Sequence, residues 1–271
     1  MGASVTAAAV VVYNTACTDC STCRALAQLK RPGLTVLIYD NSTRDYGNAE
    51  FCRQMGWVYL GGNGNNGISK AYNGCVDYLK QNRMQGLLCL FDDDTELSGD
   101  YFSALEAASA ADDARVYVPL IRSGGRILSP CRLSEGHRVT LFGDEREALA
   151  YRGSDLSAIN SGMAVDLGIF DDFRYDEHIF LDGVDHAFTR KMHASGNRIR
   201  VFDYCCDHAF SGDSLPSREA AMTRFRIYAK DYAYILADRK WDYLLLVGKR
   251  ALHLCMQYKS PGFFLEWIKN Y

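Results

Sequence analysis

No apolar run in this chain reaches the length needed to cross a bilayer, and the closest stretch is the short Tyr243–Val247 segment. Met1–Ala9 lacks a basic start, and the apolar run Ala7–Val12 reads on as a strand, so no secretory signal is expected. Net charge is scarce: 30 Lys and Arg against 33 Asp and Glu leave −3, which argues against general nucleic-acid binding. No internal repeat is present. Without a secretory context, the ten cysteines read as reduced thiols of a cytosolic protein. Cys17, Cys20 and Cys23 form a C-x2-C-x2-C run that could open an iron–sulfur motif, yet the next ligand position of that pattern, residue 27, is Ala.

What remains is a chain of 271 residues, 48% hydrophobic, long enough for one large domain or for a domain with a helical extension. Its charge is uneven. Residues 217–271 carry 10 Lys and Arg against 5 Asp and Glu, whereas residues 1–216 carry 20 against 28. The same tail holds 11 of the 33 aromatic residues, which gives an acidic body with a basic, aromatic extension.

Apolar, β-branched runs at Ala7–Tyr13 and Thr35–Tyr39 flank a helical stretch near Ser21–Lys30, and Pro32-Gly33 breaks the chain before the second strand. A third strand, Trp57–Leu60, leads through a Gly/Asn loop, Gly61–Gly67, into a helix from Ser69 to about Gln81. A fourth, Leu87–Phe91, precedes a helix near Asp100–Ala111. This alternation predicts an α/β fold with a mostly parallel, doubly wound sheet. Beyond Val116–Ile121 the pattern becomes irregular through Arg152. Val165–Phe170 and Ile199–Phe202 are later elements, separated by a helix over about Asp185–Ala194, and from Ser217 onward the chain is helical in character.

The most informative stretch is Leu87-Leu88-Cys89-Leu90-Phe91-Asp92-Asp93-Asp94-Thr95, an apolar strand that delivers three consecutive carboxylates to its C-terminal end, where α/β sheets place their chemistry. Three adjacent acids repel one another and call for a cation, most simply Mg²⁺ or Mn²⁺; the alternative is a solvated acidic turn with one acid as a helix N-cap. The first strand ends at Tyr13-Asn14 and the second at Asp40-Asn41-Ser42, on the same sheet edge. Asp40 there can accept from a nucleobase or ribose, or can serve turn chemistry. The Gly/Asn loop can offer backbone N–H groups to a diphosphate, although it has neither the spacing nor the ending of a P-loop. Asn14, Asp40, Asn41, Gly67, Lys70, Asp92, Asp93 and Ser161 form the candidate nucleotide-binding set. In Phe180-Leu181-Asp182-Gly183-Val184-Asp185-His186, apolar residues again precede paired acids and a helix, and one of these carboxylates can act as a general base. His208 ends a later strand and can complete a metal shell, contact a phosphate, or be purely structural.

Taken in order, these residues resemble the family 2 glycosyltransferases of GT-A fold, especially the rhamnosyltransferase-like members that build bacterial polysaccharides. The resemblance covers roughly residues 7–215. Phe91-Asp92-Asp93-Asp94-Thr95 is similar to the family's Asp-x-Asp-Thr, Ile159-Asn160-Ser161-Gly162-Met163 to its Ser-Gly segment, and Tyr175–Asp185 to its Asp-Glu-x-x-Phe-Ile-Asp-x-x-Asp. It implies a GT-A catalytic domain over 1–216, with the donor part over about 1–120 and the acceptor part over about 121–216, followed by an extension over 217–271. It also implies that Asp94 and Asp92, with His208, hold a divalent metal (Mn²⁺ or Mg²⁺) on the donor diphosphate, and that Asp40 holds the nucleobase. In many relatives the base is the second residue of a Glu-Asp pair 11 residues before a helix-ending Gly. Asp185 stands 11 before Gly196, but Val184 replaces the Glu, so the base lies between Asp185 and Asp182.

The activity so implied is inverting transfer from a nucleoside-diphosphate sugar, dTDP-rhamnose or a UDP-hexose or galactofuranose donor, to a glycan hydroxyl. In the tail, Arg224, Arg226, Lys230, Arg239, Lys240, Lys249 and Arg250 interleave with Phe225, Tyr228, Tyr232, Tyr234, Trp241 and Tyr243. That pattern suits helices on an anionic membrane, with a lipid-linked acceptor at its cytoplasmic face, or a helical cap packed on the catalytic domain. Two other functions compete. Asp92-x-Asp94 also resembles the acid pair of haloacid-dehalogenase-type phosphohydrolases, whose motif sits on the first strand and is followed by Thr or Val where this chain has Glu96. A sugar-nucleotide-binding or membrane-scaffold protein without turnover is the other.

Overall fold

Apolar β-branched runs alternating with amphipathic stretches produce the strand–helix repeat in the computed structural model, which describes residues 4–207 and 216–269. The first half comprises β1 (Val5–Val12), α1 (Ser21–Leu29), β2 (Thr35–Asp40), α2 (Asn48–Met55), β3 (Val58–Gly61), α3 (Ile68–Gln81), β4 (Leu87–Asp92) and α4 (Asp100–Ala111). Then follow β5 (Val116–Ser123), β6 (Arg126–Ser129), β7 (Cys131–Leu133), β8 (Val139–Leu141), α5 (Glu145–Ala150), β9 (Leu156–Ser157) and β10 (Met163–Asp166). A 3-10 turn (Leu167–Asp171), α6 (Val184–Ala194), β11 (Ile199–Asp207), α7 (Arg218–Ile235), α8 (Lys240–Tyr258) and α9 (Gly262–Lys269) complete the chain.

The main sheet runs β11-β5-β10-β4-β1-β2-β3, with β6 beside β5, while β8-β7-β9 form a small second sheet. β3, β2, β1 and β4 are mutually parallel, as are β5 and β11, and β10 is antiparallel to both β4 and β5. The fold is therefore a mainly parallel α/β sheet flanked by helices on both faces, as the sequence predicts, with three C-terminal helices added. Strand alternation sorts the core into two layers. Ala7, Ala9, Leu88 and Leu90 face α3 and α6, whereas Ala8, Val10, Cys89 and Phe91 face α1 and α4.

The structure corrects the irregular middle of the reading. Residues 122–157 contain β6 to β9 and α5, and α2 precedes β3; strands of two to four residues are too short to show a period. Val165–Phe170 is not one element. Asp166 ends the strand by accepting from Gly168 N at 2.9 Å, and this cap opens the 3-10 turn. None of the ten cysteines is in a disulfide.

The tail is a cap with its own core. Phe225, Tyr228, Tyr232 and Tyr243, placed at a membrane interface by one reading of the sequence, are buried there with Val247, Ala251 and Phe263. Each such burial is worth roughly 1.5–3 kcal/mol. Arg224 and Arg226 are engaged with Asp182 and Glu266, and Arg250 lies over the Tyr228 ring at 4.1 Å. Among the described residues no helix is long and apolar enough to cross a membrane.

The cap meets the body at the turn Ser134–Arg138. Glu135 pairs with Arg239 at 2.9 Å, and the buried His137 ring lies edge-on to Tyr232 at 5.6 Å. His137 has φ 56°, and neither ring nitrogen has a hydrogen-bond partner among the described residues. Burial, then the charges of Arg190, His186 and Arg239, hold its pKa down at about 3, with Asp242 opposing them. The unfolded chain takes up this proton near the ordinary value of 6.5, so the unfolded state binds more protons between those limits. The contribution of neutral His137 is complete above about pH 6.5 and is lost as pH falls, at about 1.4 kcal/mol per unit. His137→Asn, which tolerates the left-handed backbone and does not titrate, is expected to lose less stability than the parent between pH 7 and pH 5, by about 1–2 kcal/mol in urea midpoints. Equal losses in both proteins would exclude His137 as the source.

Candidate active site

Two strand registers bring the acids together. Asp40 closes β2 opposite Val12, and Asp92 closes β4 opposite Val11, so the two carboxylates flank the end of the central strand β1. The chain order reverses at β1, and open α/β sheets bind ligands in the crevice at such a switch point. The Asp92-x-Asp94 pair follows the fourth strand and not the first, which removes the positional basis of the phosphohydrolase reading.

Asp40 is buried and internally bonded. Its Oδ1 accepts from Ser42 N at 2.9 Å, and its Oδ2 accepts from Asn48 Nδ2 at 3.0 Å and Tyr59 OH at 3.2 Å. The Asp-Asn-Ser turn chemistry is thus present, and burial together with Asp40 pushes the Tyr59 phenol up to about 12, keeping it a donor. Asn14, at φ 52°, accepts through Oδ1 from Thr43 N at 2.9 Å. Asn41 donates to the Gly67 carbonyl at 3.2 Å and accepts from Asn66 N at 3.1 Å, tying the second-strand turn to the Gly/Asn loop. At Gly67 φ is 81°, and a Cβ would stand 2.6 Å from the Phe180 carbonyl, so only glycine admits this approach. Lys70 lies exposed in the first turn of α3.

The start of α1 clamps the backbone of the triple acid. The Thr22 hydroxyl donates to the Asp92 carbonyl at 2.6 Å, and the Cys20 thiol donates to the Asp93 carbonyl at 2.9 Å while accepting from Cys23 N at 3.2 Å. The cysteine run therefore caps a helix and pins the acidic turn. Asp93 Oδ2 accepts from Tyr13 N at 3.3 Å. Ser161, delivered beside Asp92 by the turn into β10, hydrogen-bonds both the Thr95 hydroxyl and Asp92. Burial, then the charges of Asp94, Asp93 and Asp185, push the Asp92 carboxyl up to about 7, and burial also raises Asp93.

Asp185 stands in the first turn of α6, its Oδ1 accepting from His186 N at 2.8 Å. Its charge reaches Asp92 from across the crevice, and also the buried hydroxyls of Tyr72 and Tyr175, which have no hydrogen-bond partner among the described residues. Asp182 has a different environment: Arg224 from α7 holds both its oxygens in a bidentate pair, with Nη2 to Oδ1 at 2.8 Å. His208 lies outside the described residues.

Oxygen-rich, mutually repelling carboxylates suit a hard divalent cation. No three His, Cys, Asp or Glu side chains converge as a ligand set among the described residues, so any ion held there would need ligands beyond these side chains. Mg²⁺ commonly binds in this way, through one or two carboxylates plus substrate phosphates.

Sequence reasoning did not single out Asp231. This buried α7 carboxylate accepts from Phe180 N at 3.0 Å, Leu181 N at 2.8 Å and Asp182 N at 2.8 Å, and so holds the loop that carries both candidate bases. Burial, with a smaller push from the charge of Asp182, raises its pKa against the three amides that lower it. The available signal was an acid inside the apolar stripe Tyr228, Tyr232, Ile235. Asn48, which supports Asp40, was likewise unmarked because its helix was not read.

No protein-family model and no curated protein matches the sequence. Solved structures do. TarS of S. aureus, residues 1–349 with UDP-GlcNAc, is 16% identical with TM-score 0.54, over 97% of this chain and 78% of that one. The mannosyltransferase PcManGT of Pyrobaculum calidifontis, with GDP-Man and Mn²⁺, is 15% identical with TM-score 0.56, over 96% and 73%. Glucosyl-3-phosphoglycerate synthase of Mycobacterium tuberculosis, with Mg²⁺ and UDP, is 13% identical with TM-score 0.54, over 86% and 79%. Against a longer TarS structure, the match spans only 39% of that chain. At these identities the likeness establishes the fold, which is GT-A.

Asp231→Asn turns an amide N–H toward a backbone N–H whichever way it is rotated. It is expected to lower stability by about 1–3 kcal/mol and to speed amide exchange at residues 180–182 at least about tenfold. Unchanged exchange at those amides, measured by mass spectrometry or NMR, would remove the anchoring role.

Proposed function

We propose that this chain is a metal-dependent, inverting glycosyltransferase of the family 2, rhamnosyltransferase-like type. It moves a hexosyl or deoxyhexosyl unit from a nucleoside-diphosphate sugar to a hydroxyl of a growing bacterial surface glycan. The observation that carries this reading is the gathering of acids at the sheet edge: Asp40 and Asp92 flank the end of β1 in register, and Asp185, in the first turn of α6, is near enough for its charge to act on Asp92. The nucleotide sugars in the matched structures, UDP-GlcNAc and GDP-Man, support the donor class.

Asp185 is the base in this reading. Asp182 has both its oxygens taken up by Arg224. Asp185 accepts from His186 N and is in no ion pair among the described residues, which leaves its carboxylate available to an acceptor hydroxyl. It removes the proton of the acceptor hydroxyl as that oxygen attacks the anomeric carbon and the nucleoside diphosphate leaves from the opposite face, so the configuration inverts in a single displacement. Asp40, Asn14 and Asn41 hold the nucleoside. Gly67, whose N–H is donated to Asn65 Oδ1, admits the tight turn into α3, Lys70 would meet the diphosphate, and Ser161 keeps Asp92 oriented. Asp94 and Asp92, joined by His208, would hold Mn²⁺ or Mg²⁺, which neutralises the charge on the departing diphosphate. The donor is dTDP-rhamnose or a UDP-hexose or galactofuranose, and the acceptor is lipid-linked at the cytoplasmic face of an anionic membrane.

Two measurements test this. Thermal stabilisation by UDP, dTDP, GDP or CDP should depend on Mn²⁺ or Mg²⁺, favour one nucleotide, and vanish in Asp94→Ala. Asp185→Asn is expected to lower transfer by roughly 10²–10⁴-fold while nucleotide affinity stays within about twofold, and Asp182→Asn to lower it far less. Lost nucleotide affinity in Asp185→Asn, or an Asp182→Asn enzyme equally inactive, would overturn the assignment.

A further inference from the structure

The cap buries most of its aromatic residues, yet one face of it is apolar and uncovered. On α8, Trp241, Leu245, Leu252 and Met256 are 79%, 68%, 53% and 73% exposed. At 100° per residue these positions fall within about 60° of arc, so they form one stripe along about 22 Å of helix. Trp267 of α9 closes over Gly248 next to the stripe, and Leu265 and Ile268 of α9 are also more than half exposed. Residues 240–269 carry five Lys and Arg against two acids. Both acids are engaged, Asp242 with Arg239 and Glu266 with Arg226, whereas Lys240, Lys249, Lys259 and Lys269 have no acidic partner among the described residues.

We infer that this face of α8 and α9 is a membrane-insertion surface, the stripe seating in the interfacial layer of an anionic bilayer and the four lysines reaching its phosphates. The inference rests on the reading that the acceptor is lipid-linked. Three features select a bilayer as the occupant. A helix lying flat with a Trp at one end and unpaired lysines beside an apolar stripe has the composition of interfacial helices. Lysines carry enough methylenes to reach the phosphates while the stripe sinks below them. A second copy is the competing occupant, and charge opposes it: Lys249 stands at the midpoint of the stripe, so two-fold pairing would set one Lys249 against the other with no free acid on the face. The same cap holds the Asp182–Asp185 loop through Asp231, so seating this face would fix the active site relative to the lipid surface.

The test uses the full chain with vesicles of phosphatidylcholine, alone or mixed with phosphatidylglycerol. Flotation is expected with the anionic vesicles, with binding falling at least about tenfold in Leu245→Asp/Met256→Asp and in Lys249→Glu/Lys259→Glu. Tryptophan emission should shift blue on binding, and the shift should be lost in Trp241→Phe, since Trp57 and Trp267 are already partly covered. Absence of flotation, binding unchanged by both double variants, or a dimer by light scattering that Leu245→Asp/Met256→Asp converts to monomer would overturn the inference. Nucleotide stabilisation read on the same proteins tests the transferase reading alone, because these substitutions lie outside the crevice.

Discussion

Holding like charges together is the constraint around which this molecule is arranged. Asp92, Asp93 and Asp94 follow one another in sequence, and Asp185 approaches from a different element. In water such a group would separate; here the backbone carbonyls of Asp92 and Asp93 are fixed by Thr22 and Cys20 at the start of α1, so the turn cannot relax outward. The cost appears as the raised pKa of Asp92, whose ionised form a positive charge in the crevice would favour. In the proposed function a cation and a diphosphate would share the crevice, the cation offsetting the acids and the phosphates completing its shell.

The second dependence runs through the cap. The segment 180–183, which leads into Asp185 at the start of α6, is held from two sides. From α3, Ile68 N donates to the Phe180 carbonyl at 2.7 Å and the Ser69 hydroxyl to the Ile179 carbonyl at 2.6 Å; from α7, Asp231 takes three successive amides and Arg224 takes the Asp182 side chain. Gly183 passes so near α7 that a Cβ would stand 2.8 Å from Ile235. The helical tail is therefore part of the machinery that positions the candidate base, whatever boundary is drawn at residue 217.

Much of this was legible because the informative residues announce themselves locally. An apolar strand ending in acids identifies both its period and its edge, and β1, β2 and β4 lie within a residue or two of where their patterns place them. The parts that were not legible depend on tertiary partners. β10 reads as the start of an apolar stretch, and only pairing with β4 and β5 makes it an antiparallel wedge. Spacing to Gly196 favours Asp185 but leaves Asp182 open, and the environment that sets the two apart, the Arg224 pair on Asp182, comes from 42 residues away. The aromatic tail likewise supported both a cap and a membrane face, because composition does not say which side of a helix is covered.

That last ambiguity has a physical resolution in the helices themselves. α8 carries apolar residues almost all round, and a helix of that kind needs cover on more than one side. Tyr243, Val247 and Ala251 are covered by α7 and α9, and Tyr228, on which Arg250 rests, closes that side. The opposite side, Trp241 to Met256, gains nothing from the body of the protein, although a buried set of this size would be worth several kcal/mol. A cap whose only task was to hold the 180–185 loop would need α7 alone, with its Asp231 and Arg224. The remaining helices, with their uncovered apolar side, are held in fixed relation to the candidate base through α7 and the three amides it binds.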